Sequence, residues 1–158
     1  IPAATHLFNA MSAFQSREPG LVGAVYDDAR VKASIVADGV HVDFVSLKIS
    51  KKLMGDRLFF ITDAVTVNST GEYQHVFKGD KYTLPDGTLS GSALTMMQSV
   101  KNAISHAGIP LEEALRMAST YPASLLNIQP PFGKIEKGYA ADFVVFDNDL
   151  EVKEVITA

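Results

Sequence analysis

The segment SIVADGVH (residues 34–41) decides the fold that the sequence predicts, because a short apolar run ends there in residues that could do chemistry. Residues 33–37 form a short apolar run with β-branched members, and Asp38 and Gly39 bound it. This pattern is typical of a buried strand in a parallel sheet. His41 ends the segment. The sequence therefore predicts a strand that is followed at its carboxyl end by polar side chains.

Two other apolar runs end in the same way, so that His6, His41 and Asp63 each follow a predicted strand. The gaps between them, 35 and 22 residues, bracket the roughly 30 residues per strand–helix unit of a (β/α)8 barrel of about 250 residues. Catalytic groups in such a barrel come from the C-terminal ends of different strands. Two histidines and an aspartate in these positions suggest a hydrolytic metal centre in an α/β fold.

Composition limits the class of protein. The chain has 158 residues, of which 47% are hydrophobic and 20% are charged, and its net charge is −4. These values are typical of a soluble globular protein, and no basic cluster indicates a nucleic-acid surface. No apolar run approaches the roughly 18 residues of a membrane span and no signal peptide is visible, so we expect a cytoplasmic protein. The lack of cysteine excludes thiolate metal sites but leaves His, Asp and Glu as ligands.

Helices and turns are expected to connect the predicted strands and to follow Asp63. The spacing of apolar residues predicts an amphipathic helix over residues 43–54, and a strand is expected over residues 58–61. Turn residues punctuate positions 65–88 and predict a hairpin-like excursion. A strong helix with an apolar stripe at Leu94, Met97, Val100 and Ile104 is predicted after residues 87–92, opened by the segment TLSGS (residues 88–92).

The end of the chain has a different pattern. Residues 133–135, 141–146 and 152–156 have strand character and are separated by turn residues. We therefore expect two parts, with residues 1–129 in a barrel and residues 130–158 in a small β unit.

His6 and Asp63 are the main candidates for a metal-dependent reaction. A neutral imidazole at a strand end can coordinate zinc or iron, although a lone histidine is more often structural. A buried carboxylate at the end of an apolar run requires a hydrogen bond, a partner or a nearby cation. Asp63 could take a proton from metal-activated water and return it to a leaving amine, or it could cap a following helix. On the residues alone, both interpretations stay open.

Three more side chains each allow two interpretations. His41 is either a histidine of a tight Asp-Gly turn or a substrate-binding residue in a pocket shared with the two candidates above. Arg17 and Asn9 could bind a phosphate or a sugar, because arginine offers a planar fork of donors. Both are also ordinary surface residues.

The TLSGS segment also allows two interpretations. Free backbone amides at the start of a helix favour anions or polar substrate groups. Alternatively, Ser90 or Ser92 simply caps that helix. His75 and His106 are assigned no role.

Six motifs occur in a recognisable order along the chain. They are THLFNAM (residues 5–11), REPG (17–20), ADGVHV (37–42), TDA (62–64), GTLSGS (87–92) and the tail GKIEKGYAADFVVFD (133–147). Together they resemble the N-acetylglucosamine-6-phosphate deacetylase family, and the tail is similar to an end segment shared more widely by the amidohydrolase superfamily. The resemblance implies the C-terminal part of a (β/α)8 TIM-like barrel plus part of a small β-sandwich domain.

The resemblance implies that the protein hydrolyses the N-acetyl group of N-acetylglucosamine 6-phosphate to give glucosamine 6-phosphate and acetate. His6 would ligate one divalent metal ion, such as zinc or iron, and Asp63 would be the general base and then the general acid. Asn9 and the Ala10 backbone would contact the sugar phosphate. Arg17 would bind phosphate in the neighbouring subunit's site, which implies a homodimer.

The resemblance also implies a substrate pocket lined by two segments, in which the His41 ring contacts the sugar phosphate. The lining residues are Asp38, Gly39, Val40, His41, Leu89, Ser90 and Gly91.

A full metal site needs more ligands than this chain supplies. Catalytic metal sites normally use about three protein ligands, and the family's glutamate and second histidine would lie upstream of position 1. We therefore expect the chain to be the C-terminal portion of a larger enzyme and to be inactive alone. Two alternatives stay open: another amidohydrolase that acts on cyclic amides, and a non-catalytic dimerisation module.

Overall fold

Three short parallel strands form the sheet that carries the candidate residues. In a computed structural model that describes residues 2–71, 74–79, 81–126 and 128–157, these are β1 (Ala3–Ala4), β2 (Lys32–Ile35) and β3 (Leu58–Phe60). They pair in the order β1-β2-β3, and Ala33 lies opposite Leu58 in the register of the last two. The strands predicted near residues 33–37 and 58–61 are confirmed, with slightly different ends.

A helix connects each strand to the next, which gives the chain an α/β fold. Helix α1 (Gly20–Asp27) lies between β1 and β2, and α2 (Phe44–Met54) lies between β2 and β3. Asp43 caps α2, because its carboxylate accepts a hydrogen bond from the Val45 amide at 2.8 Å. A 3-10 turn, Gly55–Arg57, then leads into β3. The helix predicted over residues 43–54 is confirmed.

Arg57 ties the end of α1 to the sheet. Its guanidinium donates hydrogen bonds to four backbone carbonyls, those of Val25 (3.3 Å), Tyr26 (3.2 Å), Asp28 (3.0 Å) and Val31 (2.8 Å). The last carbonyls of a helix have no partner within the helix. A single side chain therefore satisfies the carboxyl end of α1 and the turn that follows it.

The hairpin-like excursion predicted after β3 is confirmed. Strands β4 (Val76–Phe77), β5 (Lys81–Thr83) and β6 (Leu89–Ser92) form an antiparallel sheet in the order β4-β5-β6.

The helix predicted after residues 87–92 is confirmed, but the TLSGS segment does not open it. Those residues belong largely to β6, whose Ser92 hydroxyl donates to the Thr62 carbonyl, so neither Ser90 nor Ser92 caps a helix. Helix α3 (Met96–Ala107) begins later, where the Thr95 hydroxyl accepts a hydrogen bond from the Gln98 amide at 3.1 Å. Pairing with β5 and the contact with Thr62 hold the segment in extended form.

Two further helices pack the core against the parallel sheet. They are α4 (Leu111–Ala118) and α5 (Thr120–Ala123). The core joins the buried faces of α1 to α4 with the strands. Its largest fully buried apolar side chains are Phe60, Leu7, Ile35, Leu47, Leu58 and Met117.

A partly buried ion cluster fastens α4 to α2. The Glu113 carboxylate accepts hydrogen bonds from Lys51, from Arg116 at 2.8 Å and from the Tyr121 hydroxyl at 2.8 Å. Burial by itself raises the pKa of the Glu113 carboxyl, but these hydrogen bonds outweigh it and lower the pKa from 4.5 to about 2. Glu113 is therefore charged in the folded protein well below neutral pH.

The chain ends in a two-stranded antiparallel sheet of β7 (Phe143–Phe146) and β8 (Val152–Ile156). The strand predicted at residues 133–135 is wrong. Gly133 has φ +88°, and its carbonyl accepts a hydrogen bond from the Thr120 hydroxyl at 2.7 Å, so this segment is tied to a helix rather than to a strand. Among the described residues, no helix is both long and apolar enough to cross a membrane.

Candidate active site

The three residues predicted to follow strands lie at one edge of the parallel sheet. His6 comes two residues after β1, His41 six residues after β2 and Asp63 three residues after β3. The carboxyl ends of adjacent parallel strands meet at the same edge. Backbone pairing continues past the strands, since the Leu7 amide donates to the Ser34 carbonyl at 2.8 Å and the Ile61 amide to the Ile35 carbonyl at 3.1 Å.

The His6 ring is oriented with one nitrogen free. Its Nδ1 lies 3.0 Å from the Asn9 carbonyl oxygen, and its backbone amide donates to the Ser34 hydroxyl at 2.9 Å. A carbonyl oxygen only accepts, so Nδ1 carries the proton and Nε2 of the neutral ring keeps its lone pair. Metal-ligating histidines are oriented by this kind of bond. The half-buried His6 side chain therefore fits a metal ligand.

The turn after β1 is backbone-strained and holds an unsatisfied donor. His6, Phe8 and Ala10 have φ angles of +37°, +80° and +56°, which residues other than glycine rarely adopt. The Asn9 side-chain nitrogen is buried and has no hydrogen-bond partner among the described residues. Buried donors are normally satisfied. The Asn9 amide is thus available to a bound ligand.

Asp38 and His41 form a nearly buried pair. Their side chains are 8% and 7% exposed, and Asp38 Oδ2 lies 2.6 Å from His41 Nδ1. Asp38 Oδ1 accepts two more hydrogen bonds, from the backbone amides of Val40 (2.9 Å) and His41 (2.8 Å). A carboxylate only accepts, so Nδ1 carries a proton and Nε2 faces away from Asp38. The Asp-Gly turn therefore fixes the ring instead of leaving it loose.

Asp63 differs from the expectation in two respects. The residue is exposed rather than buried, and no helix follows it, so it does not cap one. Its φ is +50°, and its carbonyl accepts a hydrogen bond from the Ser92 amide at 2.9 Å. Within the described part of the chain its carboxylate makes no hydrogen bond or ion pair. The backbone of Asp63 is therefore held by a hydrogen bond, whereas its carboxylate has no partner among the described residues.

The segment Leu89–Ser92 lies beside Asp63. A Cβ on Gly91 would lie 2.7 Å from the Val65 side chain and 3.1 Å from the Asp63 carbonyl oxygen, so only glycine fits this approach. His75, to which no role is assigned above, lies with its Nδ1 3.0 Å from the Ser90 hydroxyl oxygen. Neither the His75 nor the Ser90 neighbourhood in the sequence signals this contact.

Arg17 is not brought to the other candidates by any contact in the structure. It is exposed in the loop before α1 and makes no hydrogen bond or ion pair with the residues that the structure describes. The loop itself is fixed nearby, where the Leu21 amide donates to the Ser12 hydroxyl at 2.7 Å. The Arg17 guanidinium is therefore free to reach a group outside this chain.

The described residues do not form a complete metal site by themselves. They contain no group of three or more His, Cys, Asp or Glu side chains that could hold a metal ion. His6 thus fits one position of a metal site whose other ligands are not in this group.

Comparison with known proteins identifies the family. The model of the amidohydrolase family matches residues 1–158. The N-acetylglucosamine-6-phosphate deacetylase of Haemophilus influenzae is 39% identical, over 94% of this chain and 42% of the relative. The crystal structure of the deacetylase of that name from Pasteurella multocida has a TM-score of 0.92 and 38% identity, over 99% of this chain and 43% of that one.

A second solved structure is similar over the same extent. It is a mutant N-acetyl-D-glucosamine-6-phosphate deacetylase from Mycobacterium smegmatis in complex with N-acetyl-D-glucosamine 6-phosphate, with a TM-score of 0.91 and 34% identity. The chain spans about two fifths of the length of these relatives. The resemblance read from the six motifs is confirmed, and because the family model matches the whole chain, the chain belongs to the amidohydrolase family.

Proposed function

We propose that the protein carries out the metal-dependent hydrolysis of the acetamide of N-acetylglucosamine 6-phosphate, giving glucosamine 6-phosphate and acetate. The names of the relatives support the substrate. The observation that carries the proposal is the position of His6, His41 and Asp63 after three adjacent parallel strands. This arrangement would supply a metal ligand, an oriented imidazole and, among the described residues, a carboxylate without a partner at one edge.

The same proposal assigns the architecture. Residues 1–129 would form the C-terminal part of a (β/α)8 TIM-like barrel, and residues 130–158 would form part of a small β-sandwich domain. The parallel order β1-β2-β3 with connecting helices supports the first assignment. The separate antiparallel pair β7-β8 supports the second.

His6 would hold one divalent metal ion through Nε2, together with ligands that the described residues do not group around it. When bound, such an ion lowers the pKa of a coordinated water and polarises the acetamide carbonyl. Nitrogen and oxygen ligands accept zinc, iron or manganese, so the ligand types leave the metal open.

Asp63 would move the proton that the reaction requires. Water adds its oxygen to the acetyl carbon as the C–N bond breaks, and one proton must pass from that water to the departing nitrogen. An amine leaves readily only when its nitrogen is protonated. A carboxylate with no partner among the described residues can accept the proton from water and then donate it to nitrogen.

The remaining candidates would recognise the sugar phosphate. His41, the Asn9 amide and the Ala10 backbone would contact it, and Arg17 would reach the site of the neighbouring subunit in a homodimer. The pocket would be lined by two segments. Its lining residues would be Asp38, Gly39, Val40, Leu89, Ser90 and Gly91.

Acetate release by the intact protein that carries these residues tests the proposal. We expect turnover of N-acetylglucosamine 6-phosphate and a loss of kcat of at least about 100-fold in Asp63→Asn with bound metal retained, because general acid–base catalysis contributes about 10²–10⁴-fold. Asp43→Asn is the matched control, since asparagine also caps a helix. Turnover of cyclic amides alone would favour another amidohydrolase. No turnover of any amide would favour a dimerisation module.

A further inference from the structure

We infer that Asn102, on helix α3, is a positioning residue for the His41 loop and thereby for recognition of the substrate's phosphate. The inference rests on the proposed function, because it assigns a second residue to the phosphate-binding histidine. Asn102 touches neither the substrate nor the metal in this proposal. It acts on the backbone that precedes Asp38.

The contact that carries the inference crosses the chain. Asn102 Nδ2 donates a hydrogen bond to the Ala37 carbonyl at 2.8 Å, although the two residues are 65 positions apart. The Asn102 side-chain oxygen in turn accepts a hydrogen bond from the side-chain nitrogen (Nε2) of Gln98 at 2.8 Å. Both ends of the amide are thus used, which sets its orientation. Ala37 is fully buried and is the last residue before the Asp38 turn.

A second contact from the same helix holds the other end of the loop. The His106 ring stacks on the Phe44 ring with centroids 4.5 Å apart and planes 16° apart. Residues four apart lie on one face of a helix, so Asn102 and His106 act together. A Cβ on Gly39 would lie 2.7 Å from the Phe44 ring. The turn between Ala37 and Phe44 is therefore held between two side chains of α3.

The position of the His41 ring depends on this turn. Asp38 fixes Nδ1 of the ring, and the direction of the Asp38 carboxylate follows from the backbone at Ala37. Because both side chains are nearly buried, a shift of the Ala37 carbonyl changes where Nε2 of His41 points. Positioning errors of this kind reduce affinity for the group that the histidine contacts.

The test uses Asn102→Asp and Asn102→Ala in the intact protein, with Ser105→Ala on the exposed side of the same helix as the control. Aspartate keeps the size of asparagine but presents an acceptor to the Ala37 carbonyl. We expect KM for N-acetylglucosamine 6-phosphate to rise about threefold to tenfold while kcat stays nearly unchanged. This increase corresponds to the loss of about one hydrogen bond. Hydrolysis of unphosphorylated N-acetylglucosamine should not change.

A double variant separates positioning from general loss of stability. In a His41→Gln background, Asn102→Asp should raise KM no further, because the residue it acts through is gone. Thermal midpoints are recorded for every variant. An unchanged KM, or equal losses with both sugars, would assign Asn102 a structural role only and overturn the inference.

An NMR measurement, which needs no turnover, distinguishes a failure of the proposed function from a failure of the inference on Asn102. Proton NMR of the intact protein should show a downfield Nδ1–H signal that is absent in His41→Gln and lost or broadened in Asn102→Asp. If the wild type fails to hydrolyse the sugar phosphate but this signal responds as stated, the proposed function fails while the positioning of His41 stands. A signal unaffected by Asn102→Asp would refute the positioning.

Discussion

Replacing Asp38 by asparagine should weaken binding of the sugar phosphate without abolishing catalysis. The native carboxylate receives three hydrogen bonds, two from backbone amides on Oδ1 and one from His41 Nδ1 on Oδ2. Asparagine has one oxygen and one NH₂ group. The charged acceptor for the ring N–H is therefore lost: either a donor faces the backbone amides or the ring N–H, or the ring moves its proton to Nε2 so that Nδ1 accepts from the NH₂ group.

The expected magnitude follows from the bond that is lost. Hydrogen bonds to a charged partner contribute about 1.5–3 kcal/mol, and about 1.4 kcal/mol is a factor of ten. Both side chains are less than a tenth exposed, so water cannot replace the missing acceptor. We therefore expect KM for N-acetylglucosamine 6-phosphate to rise about tenfold to a hundredfold.

Steady-state kinetics on the intact protein provides the assay. KM and kcat are measured for the phosphorylated sugar and for N-acetylglucosamine, which has no phosphate for His41 to contact. The matched control is Asp43→Asn, which removes the same charge five residues away and retains the cap of α2. A KM within about twofold of the wild type, in a variant with normal thermal stability, would show that Asp38 does not act through His41.

Three further predictions concern stability and metal binding. Arg57→Met removes the donor to four backbone carbonyls, and unsatisfied carbonyls at a helix end are costly. It should therefore lower the free energy of unfolding, measured by urea titration, by about 2–4 kcal/mol. An unchanged unfolding midpoint would show that these hydrogen bonds do not stabilise the end of α1. The pKa of Glu113 is lowered from 4.5 to about 2 on folding, so its contribution of at most about 3 kcal/mol is present above pH 4.5 and is lost as the pH falls towards 2. Glu113→Gln should flatten the stability profile in that range, and an identical profile would exclude this role. The purified 158-residue chain should neither retain zinc through gel filtration nor release acetate, because His6 supplies a single ligand; acetate release would refute this.

The sequence predicted those parts of the fold that local pattern determines. Apolar runs that end in polar residues indicated β2 and β3, and apolar residues at helical spacing indicated α2. The TLSGS segment was misassigned because serine, threonine and glycine suit both a helix start and an irregular edge strand. Pairing with β5 and the Ser92 contact to Thr62, across 30 residues, decide between the two.

Contacts between residues that lie far apart in the sequence could not be predicted either, because no local pattern encodes them. Asn102 bonds a carbonyl 65 positions away, and His75 meets Ser90 only because the excursion folds back. The strand expected at residues 133–135 failed because strand character needs a partner, whereas this segment bonds α5 through Thr120.

Backbone strain adds an argument that no sequence pattern contains. Among the described residues, five that are not glycine have positive φ, and four of them are His6, Phe8, Ala10 and Asp63. Such conformations cost of order 1–3 kcal/mol each and persist where the surrounding structure imposes them. The Asn9 carbonyl and the Ser34 hydroxyl hold His6, and the Ser92 amide holds Asp63. The fifth, Leu150, lies in the turn between β7 and β8. Four of the five strained positions thus fall in the two segments that carry the proposed ligand and the proposed proton carrier, which is what a preorganised site requires.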